Sequence, residues 1–281
     1  MTEIVVGAAG GVHSRAALRW ALARAARSGE PVSLVHAWAD PVSVDAVLDP
    51  DTVAALAADL DVDSVVLPRV RVLGRQGEPA QVLLDLGHDD ALLVVGGGRH
   101  HFWDRRPAVL VQLRRQGTSP VVVVPEEGPG SPPSGGPVVV GVDLSDGSAA
   151  ALRWACAEAV AQDRELAVTQ AWQPTAADAA DVGRHAHDRH DATAALRLRR
   201  WVEDTLDTAQ RPLMRLRVER GAPLDALSAD AVGAELLVLG SHGHHAVSRL
   251  LAGSTSGQLA LLCDGPIVVV PPLPLRLSPG A

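Results

Sequence analysis

The sequence predicts an α/β protein with two tandem domains, each a parallel sheet with helices on both faces. Three observations support this fold class: short apolar runs alternate with helix-length segments, an ordered set of motifs occurs twice, and a Pro/Gly/Ser-rich segment separates the two copies. The chain has 281 residues, a usual length for two domains. Hydrophobic residues make up 47% and charged residues 21%, so each domain can form a buried core.

Five motifs recur in the same order in the two copies. The matched segments are 4–7 with 138–141, 17–21 with 151–155, 37–38 with 171–172, 77–79 with 221–223, and 120–125 with 266–271. This period is a whole domain and is too long for a solenoid repeat. We therefore expect domains at 1–125 and 137–272, joined by a linker at 126–136 and followed by an irregular tail at 273–281.

Each element of the second copy follows from its pattern. Short apolar runs predict strands, and longer segments between them predict helices. The predicted strands are 138–142, 165–171, 214–219, 236–239 and 267–270, and the predicted helices are 146–162, 192–209, 223–232 and 253–263. Strands that alternate with helices form a parallel sheet with right-handed crossovers, and such sheets bind ligands outside the carboxyl ends of their strands.

A glycine-rich segment follows the apolar run 236–239. Gly240 and Gly243 come first, and Gly253 with the hydroxyl-bearing residues 254–256 comes next. Glycines let backbone N–H groups approach an anion, and a helix that opens with hydroxyl groups adds donors and the positive end of its dipole. The segment predicts a phosphate cradle. A glycine turn followed by a helix N-cap is the other interpretation that the spacing leaves open.

The chain contains no lysine, which excludes several kinds of site. A Walker A loop and a protein kinase each need a lysine at the phosphates, and Schiff-base catalysis needs a lysine amine. A nucleoside triphosphate would have to be held by backbone and hydroxyl groups. That arrangement favours holding the nucleotide over hydrolysing it quickly.

Net charge and cysteine content limit the partners and the cellular compartment that we expect for this protein. The formal net charge is −8, which argues against a general partner among nucleic acids or membrane surfaces. No run approaches the roughly 18 apolar residues of a membrane span, and the first residues predict a strand at once. Cys156 and Cys263 lie in apolar helical contexts and are predicted to be core residues in a reducing compartment. We expect a cytoplasmic protein.

Two histidine groups have competing interpretations. Histidines and aspartates between positions 181 and 191 lack the spacing of a zinc site, and we expect a solvated connection there without a metal. His242, His244 and His245 lie in the glycine-rich segment, where they contact phosphates or are ordinary polar loop residues. No nucleophile elbow is present, and we expect no catalytic residue.

The glycine-rich segment resembles the ATP-binding signature of the universal stress protein family, G-x2-G-x9-G-[ST]. Gly240, Gly243, Gly253 and Ser254 fill it completely. The segment 140–145 is similar to the first strand of that family and its acidic residue. The resemblance covers nearly the whole chain outside linker and tail. It implies two Rossmann-like domains, each a five-stranded parallel sheet of order 3-2-1-4-5, with ATP held near the first and fourth strands.

The resemblance also implies site residues and a function. Asp143 would contact the nucleoside, Ala171 would line the adenine pocket, and Ser254 with its neighbours would bind ribose and phosphates. The implied nucleotide-binding residues are Val142, Asp143, Ala171, Gly240, Gly243, Gly253, Ser254, Thr255 and Ser256. The ligand would be ATP, with or without Mg²⁺, and the protein a nucleotide-dependent regulator in a stress response, not an enzyme. The alternatives are a slow ATPase or nucleotide-transferring enzyme, and a scaffold that binds no nucleotide.

The first copy departs from this signature. The positions of Asp143, Gly243, Gly253 and Ser254 are held there by Ala9, Arg99, Pro107 and Ala108. Proline lacks an N–H and alanine lacks a hydroxyl, so we expect no ATP site in the first half. The alternative is a different anion held by glycines 96–98 with arginines 99, 105 and 106.

The final strands of the two copies are nearly identical. Segments 121–124 and 267–270 are each expected at the edge of their own sheet, where free N–H and C=O groups need a partner. We expect these strands to lie side by side and antiparallel, which makes the chain an intrachain pseudo-dimer. A homodimer of whole chains is left open.

Overall fold

The computed structural model describes residues 3–8, 11–38, 70–87, 91–97, 112–113, 118–125, 135–172, 186–207, 211–241 and 265–272. Within these residues the chain forms one ten-stranded sheet that carries helices on both faces. The fold class is α/β, as the alternating pattern predicts.

The two halves contain the same succession of elements. The N-terminal half consists of β1 (Glu3–Gly7), α1 (Gly11–Ser28), β2 (Val32–Trp38), β3 (Val70–Gln76), α2 (Pro79–Leu86), β4 (Ala91–Gly97) and β5 (Val121–Pro125). The C-terminal half consists of β6 (Val138–Val142), α3 (Asp146–Ala161), β7 (Leu166–Trp172), α4 (Ala186–Thr205), β8 (Met214–Arg220), α5 (Pro223–Ala231), β9 (Leu236–Gly240) and β10 (Ile267–Val270).

The strand order is β3-β2-β1-β4-β5-β10-β9-β6-β7-β8. Each half is parallel throughout and has the order 3-2-1-4-5 in its own numbering. The halves join where β10 pairs antiparallel with β5, with Val268 opposite Val122. The expectation that these two strands lie side by side and antiparallel is confirmed.

The hydrophobic core is continuous on one face of the sheet and divided on the other. Helices α1, α3 and α4 cover a single cluster that runs across both halves. On the opposite face, α2 and α5 each cover a separate cluster confined to one half. The strands carry near-continuous Val, Leu and Ile runs because both of their faces are buried. The β5–β10 seam therefore unites the halves chiefly on the α1/α3 face.

Local sequence sets where several helices begin. Ser145 caps α3 by accepting from the Ser148 N–H at 3.3 Å. Helices α2 and α5 start with a proline, which needs no N–H partner there. Gly77 and Gly221 precede these helices with φ of +146° and +144°, a region that favours glycine. This geometry explains the repeated glycine and proline motif.

Predicted strands of the second copy agree with the structure to within one residue at each end. The predicted helix at 192–209 is wrong at both ends, since α4 spans Ala186–Thr205. Within the additional N-terminal part of α4, the Asp191 carboxylate accepts from the Trp172 indole N–H at 3.1 Å. After α4, the Arg211 guanidinium donates to the carbonyls of Leu206, at 2.5 Å, and Glu203, at 3.2 Å, which satisfies groups that a longer helix would use. The predicted helix at 253–263 lies outside the described residues.

No helix in the described part of the chain has both the length and the apolar composition needed to cross a bilayer.

Candidate functional site

Four of the predicted site residues meet at one edge of the sheet. Val142 ends β6, Asp143 follows it, Ala171 is next to last in β7, and Gly240 ends β9. Strand β6 lies between β9 and β7, so these residues share the carboxyl edge of three adjacent parallel strands. The other predicted residues lie outside the described residues: Gly243, Gly253, Ser254, Thr255 and Ser256.

The carboxylate of Asp143 is held in place by the turn that leads into α3. The hydroxyls of Ser145 and Ser148 each donate to Oδ1 at 2.5 Å, and the Ser145 N–H donates to the same oxygen at 3.1 Å. Ser148 Oγ in turn accepts from the Asp143 N–H at 3.0 Å. These bonds fix an acidic group beside the N-terminus of a helix, where the dipole favours negative charge.

Leu144, between Asp143 and Ser145, has a φ of +64°. A side chain in this left-handed region costs about 1 kcal/mol, and such strain concentrates at functional sites. The hydrogen bonds of Asp143 on either side hold this conformation. The strained residue thus belongs to the turn that orients the carboxylate.

Gly240 is required by close packing. A Cβ at this position would lie 2.6 Å from the carbonyl oxygen of Gly147, in the first turn of α3. Its neighbour Ser241 is buried, and the Ser241 N–H donates to the Val270 carbonyl at 2.8 Å. Sequence reasoning took Gly240 to shape the phosphate loop. The structure shows a packing role for this glycine, because it brings the end of β9 against the helix that carries Ser148.

Gln170 is a polar residue of this edge that sequence reasoning missed. It is the register partner of Val142 across β6 and β7. Its side-chain oxygen is buried and has no hydrogen-bond partner in the described part of the chain. A buried acceptor without a donor is unfavourable unless a ligand or water satisfies it. The sequence signal that could have revealed Gln170 is a polar residue within an apolar strand. The equivalent position of the first copy is also polar, since it is held by His36.

Trp172 and α4 border the same edge. The Trp172 indole N–H donates to Asp191 Oδ1 at 3.1 Å, and the Arg220 guanidinium lies 5.8 Å from the centre of the ring. Asp191 was one member of the His/Asp segment weighed as a metal site. Among the residues that the structure describes, no cluster of three or more potential ligands could hold a metal ion.

Cys156 offers no reactive nucleophile to this site. Its thiol is buried in α3, and burial raises its pKa, an effect that Arg211 opposes in part. The prediction that Cys156 is a core residue is confirmed, while Cys263 lies outside the described residues.

The equivalent edge of the N-terminal half has a different composition. His36 stands where Gln170 stands, and its Nδ1 is 2.8 Å from the Ala8 carbonyl oxygen. Because a carbonyl only accepts, this contact assigns the proton to Nδ1. The Nε2 atom is buried and unpartnered within the described residues, and the ring stacks on Trp38 at 5.9 Å. The residues that replace the signature in this half lie outside the described ranges.

Comparison with known proteins agrees with this architecture. The model of the universal stress protein family matches residues 1–125 and 136–271. A universal stress protein of Mycolicibacterium smegmatis is 28% identical over 289 residues, covering 96% of this chain and 97% of the relative. A universal stress protein of Mycobacterium tuberculosis strain H37Rv is 27% identical over 299 residues, covering 95% of each chain.

Solved structures share the fold over the whole chain. The crystal structure of a universal stress protein from Archaeoglobus fulgidus has a TM-score of 0.63 at 16% identity, covering 96% of this chain and 98% of that chain. The cytoplasmic domain of a prokaryotic cation chloride cotransporter has a TM-score of 0.52 at 10% identity, covering 95% and 94%. These likenesses concern the fold, which hosts more than one function. With both halves matched by the family model, the chain belongs to the universal stress protein family as a tandem of two such domains.

Proposed function

We propose that the chain binds one molecule of ATP, with or without Mg²⁺, at the carboxyl edge of β6, β7 and β9. The C-terminal half would hold the nucleotide, and its occupancy would act as a regulatory signal in a stress response in the cytoplasm. The observation that carries this proposal is the Asp143 carboxylate, fixed by Ser145 and Ser148 at the edge where the glycine signature begins.

The groups at this edge fit an adenine nucleoside. A fixed carboxylate accepts hydrogen bonds from ribose hydroxyls or a base amine without needing to reorganise. The buried Gln170 oxygen is a second acceptor, which a donor such as an exocyclic amine would satisfy. Ala171, which is half-buried, would supply apolar surface for the base, while the side chain of Val142 is buried in the core beneath this edge. Gly240 brings β9 close enough to α3 for one ligand to reach both.

The phosphates would be bound by the rest of the signature. Gly243, Gly253, Ser254, Thr255 and Ser256 offer backbone N–H and hydroxyl donors in the spacing that the family uses. With no lysine in the chain and no acid and base pair among the described residues of this edge, binding without rapid turnover is the function that the chemistry favours. We therefore propose a non-enzymatic regulator.

The first test identifies the ligand and counts it. Protein purified without added nucleotide is denatured, and the released small molecules are separated and identified by mass spectrometry. Calorimetric titration of nucleotide-free protein with ATP should give a stoichiometry near one per chain. A stoichiometry near two would contradict the assignment to one half, and the absence of binding would favour a scaffold without nucleotide. Steady turnover of ATP that is lost in Ser254→Ala would favour the enzymatic alternative.

A loop variant locates the site. Gly243→Arg introduces into the second half the residue that the first half has at this position, and its side chain would occupy the space of the phosphates. Affinity should fall at least tenfold, which corresponds to about 1.4 kcal/mol. Gly98→Arg introduces an arginine beside Arg99 in the loop of the first half and is the control for adding this side chain outside the proposed site. Equal losses from both variants would contradict the proposed location.

A further inference from the structure

A buried ion pair joins the two halves beside the β5–β10 seam. Arg24 of α1 donates through Nη1 to Glu158 Oε1 of α3, and the side chains are only 14% and 5% exposed. The two residues are 134 positions apart. The same spacing relates the equivalent strand residues Ile4 and Val138, so Arg24 and Glu158 occupy the same position in the two copies. One position of the repeat therefore contacts its own counterpart with the opposite charge.

A second position of the repeat has its charge exchanged in the same way. Glu30 accepts from Arg24 Nε at 3.0 Å and from the Ser28 hydroxyl at 2.7 Å. The counterpart of Glu30 in the C-terminal half is Arg164. The N-terminal half thus has Arg followed by Glu, and the C-terminal half has Glu followed by Arg. The order of the charges is reversed between the halves while the apolar pattern around them is kept.

The strands of the seam cannot select the partner by themselves. The paired segments Val121–Val123 and Ile267–Val269 are both apolar, and β-branched throughout. Replacing one by the other would keep the backbone ladder and bury similar surface. Pairing of β5 with a second β5, or of β10 with a second β10, is thus not disfavoured by the strands, so discrimination must come from outside the ladder.

We propose that Arg24 and Glu158 determine which halves pair, favouring an N-terminal half against a C-terminal half and rejecting like against like. Two N-terminal halves would place Arg24 against another Arg24, and two C-terminal halves would do the same with Glu158. Like charges in a largely buried contact are unfavourable and act as a repulsive element against the wrong partner. The correct pair is further supported by Gln162 Nε2, which donates to Glu158 Oε1, and by Trp20, whose ring centre is 5.9 Å from the Arg24 guanidinium.

The linker does not make this selection unnecessary. A flexible connection raises the effective concentration of the attached half but does not exclude halves of other chains at high concentration, during folding above all. In such encounters the ion pair favours pairing of an N-terminal half with a C-terminal half and disfavours pairing of two halves of the same kind. Any pair that forms, within a chain or between chains, then contains one half of each kind.

Charge reversal in the full-length protein tests the proposal. Arg24→Glu and Glu158→Arg each create like charges across the seam and should lower the melting temperature by roughly 10 °C. The double exchange should recover at least half of that loss, and adding Glu30→Arg and Arg164→Glu should recover more, because each half then carries the charges of the other. Arg71→Glu is the matched control, since its pair with Glu3 is within one half and Arg71 is 63% exposed.

Mixing the two single variants measures the selection itself. Arg24→Glu and Glu158→Arg chains, unfolded together and refolded at high concentration, can satisfy both contacts only by exchanging halves. Native mass spectrometry should then find that the mixed dimer makes up clearly more than the half of all dimers that random pairing gives. The proposal is overturned if no excess of the mixed dimer forms, if the double exchange is no more stable than the single variants, or if the reversals cost no more than the Arg71→Glu control.

Discussion

The two halves fill three equivalent positions, one on a helix and two on strands, with opposite chemistry. In the C-terminal half, Asp230 of α5 accepts from the Thr169 hydroxyl at 2.6 Å and from Arg217 Nη1 at 2.5 Å. The hydrogen bond to Asp230 raises the pKa of Arg217 above its ordinary value, so the arginine stays charged at any working pH. Thr169 and Arg217 are register partners on β7 and β8. A helix is thereby tied to two strands through polar groups.

In the N-terminal half the same three places are apolar. Val35 and Leu73 are register partners on β2 and β3, and Leu86 occupies in α2 the place that Asp230 has in α5. Val35 belongs to the hydrophobic cluster under α2, and the partly buried Leu73 and Leu86 pack against it. The two solutions support the same strand order and the same helix position. The comparison shows that the alternation of strands and helices specifies the domain, while the chemistry of an individual buried place can change without changing the fold.

The largest loss of stability from a single change in one half is expected for Gly240→Ala. The added methyl group would lie 2.6 Å from the Gly147 carbonyl oxygen, and neither backbone can move away without disturbing β9 or α3. The free energy of unfolding should fall by about 3 kcal/mol, measured by urea denaturation. Gly74→Ala in the first half is the control, because its methyl would meet the movable Trp38 ring at 3.1 Å. A smaller loss at Gly240 than at Gly74 would contradict this account of the site.

Replacing the polar cluster of Thr169, Arg217 and Asp230 by apolar residues tests whether the two halves can exchange their chemistry at these positions. Asp230→Leu alone leaves the buried Thr169 hydroxyl without its acceptor and the Arg217 guanidinium with Glu219 as its remaining partner, and should cost about 2 kcal/mol. The triple variant Thr169→Val, Arg217→Leu, Asp230→Leu introduces the chemistry of the first half and should return to within about 1 kcal/mol of the parent. Thermal unfolding of the single and triple variants measures both. A triple variant that is less stable than the single one would show that the two solutions are not interchangeable.

A smaller effect is expected at Asp143, whose position in the first half is held by Ala9. Asp143→Asn keeps an oxygen acceptor for Ser145 and Ser148 but removes the charge, so ATP affinity should fall about tenfold while the melting temperature changes little. Asp143→Ala is a less clean variant because both serine hydroxyls lose their acceptor. Asp146→Asn, at an exposed position in the first turn of α3, is the control for charge alone. Unchanged affinity in Asp143→Asn would mean that this carboxylate serves the turn and not a ligand.

Much of the fold was predictable because its signals are local. Several strands end at, or directly before, a glycine or a proline, and the repeat supplied a second copy of most of these signals. The beginning of α4 at Ala186 was not predictable, since this part of the helix is polar and Asp191 is positioned there by Trp172 of another strand. The pairing of β5 with β10 followed from the general need of an apolar edge for a partner.

The candidate site was predictable in part. The position of Asp143 at the end of β6 followed from the strand pattern. Its carboxylate is held by the hydroxyls of Ser145 and Ser148, and the conformation of the turn, which the sequence pattern does not give, orients these hydroxyls toward it. Gln170 was missed because a single polar residue in a strand does not reveal whether the folded chain offers its side chain a hydrogen-bond partner. The contact of Arg24 with Glu158 joins distant segments, and nothing local in the sequence indicates it.

The order of synthesis gives the β5–β10 seam a further consequence. Strand β5 leaves the ribosome first, and its partner β10 is made about 140 residues later. At ordinary rates of translation this takes roughly ten to thirty seconds. During that time the first half can fold its own five strands, but its last strand has an apolar edge and no partner. A nascent chain therefore has an open β5 edge from the time its first half folds until β10 is made, and during this interval the like charges of Arg24 would disfavour pairing with the first halves of neighbouring chains on a polysome.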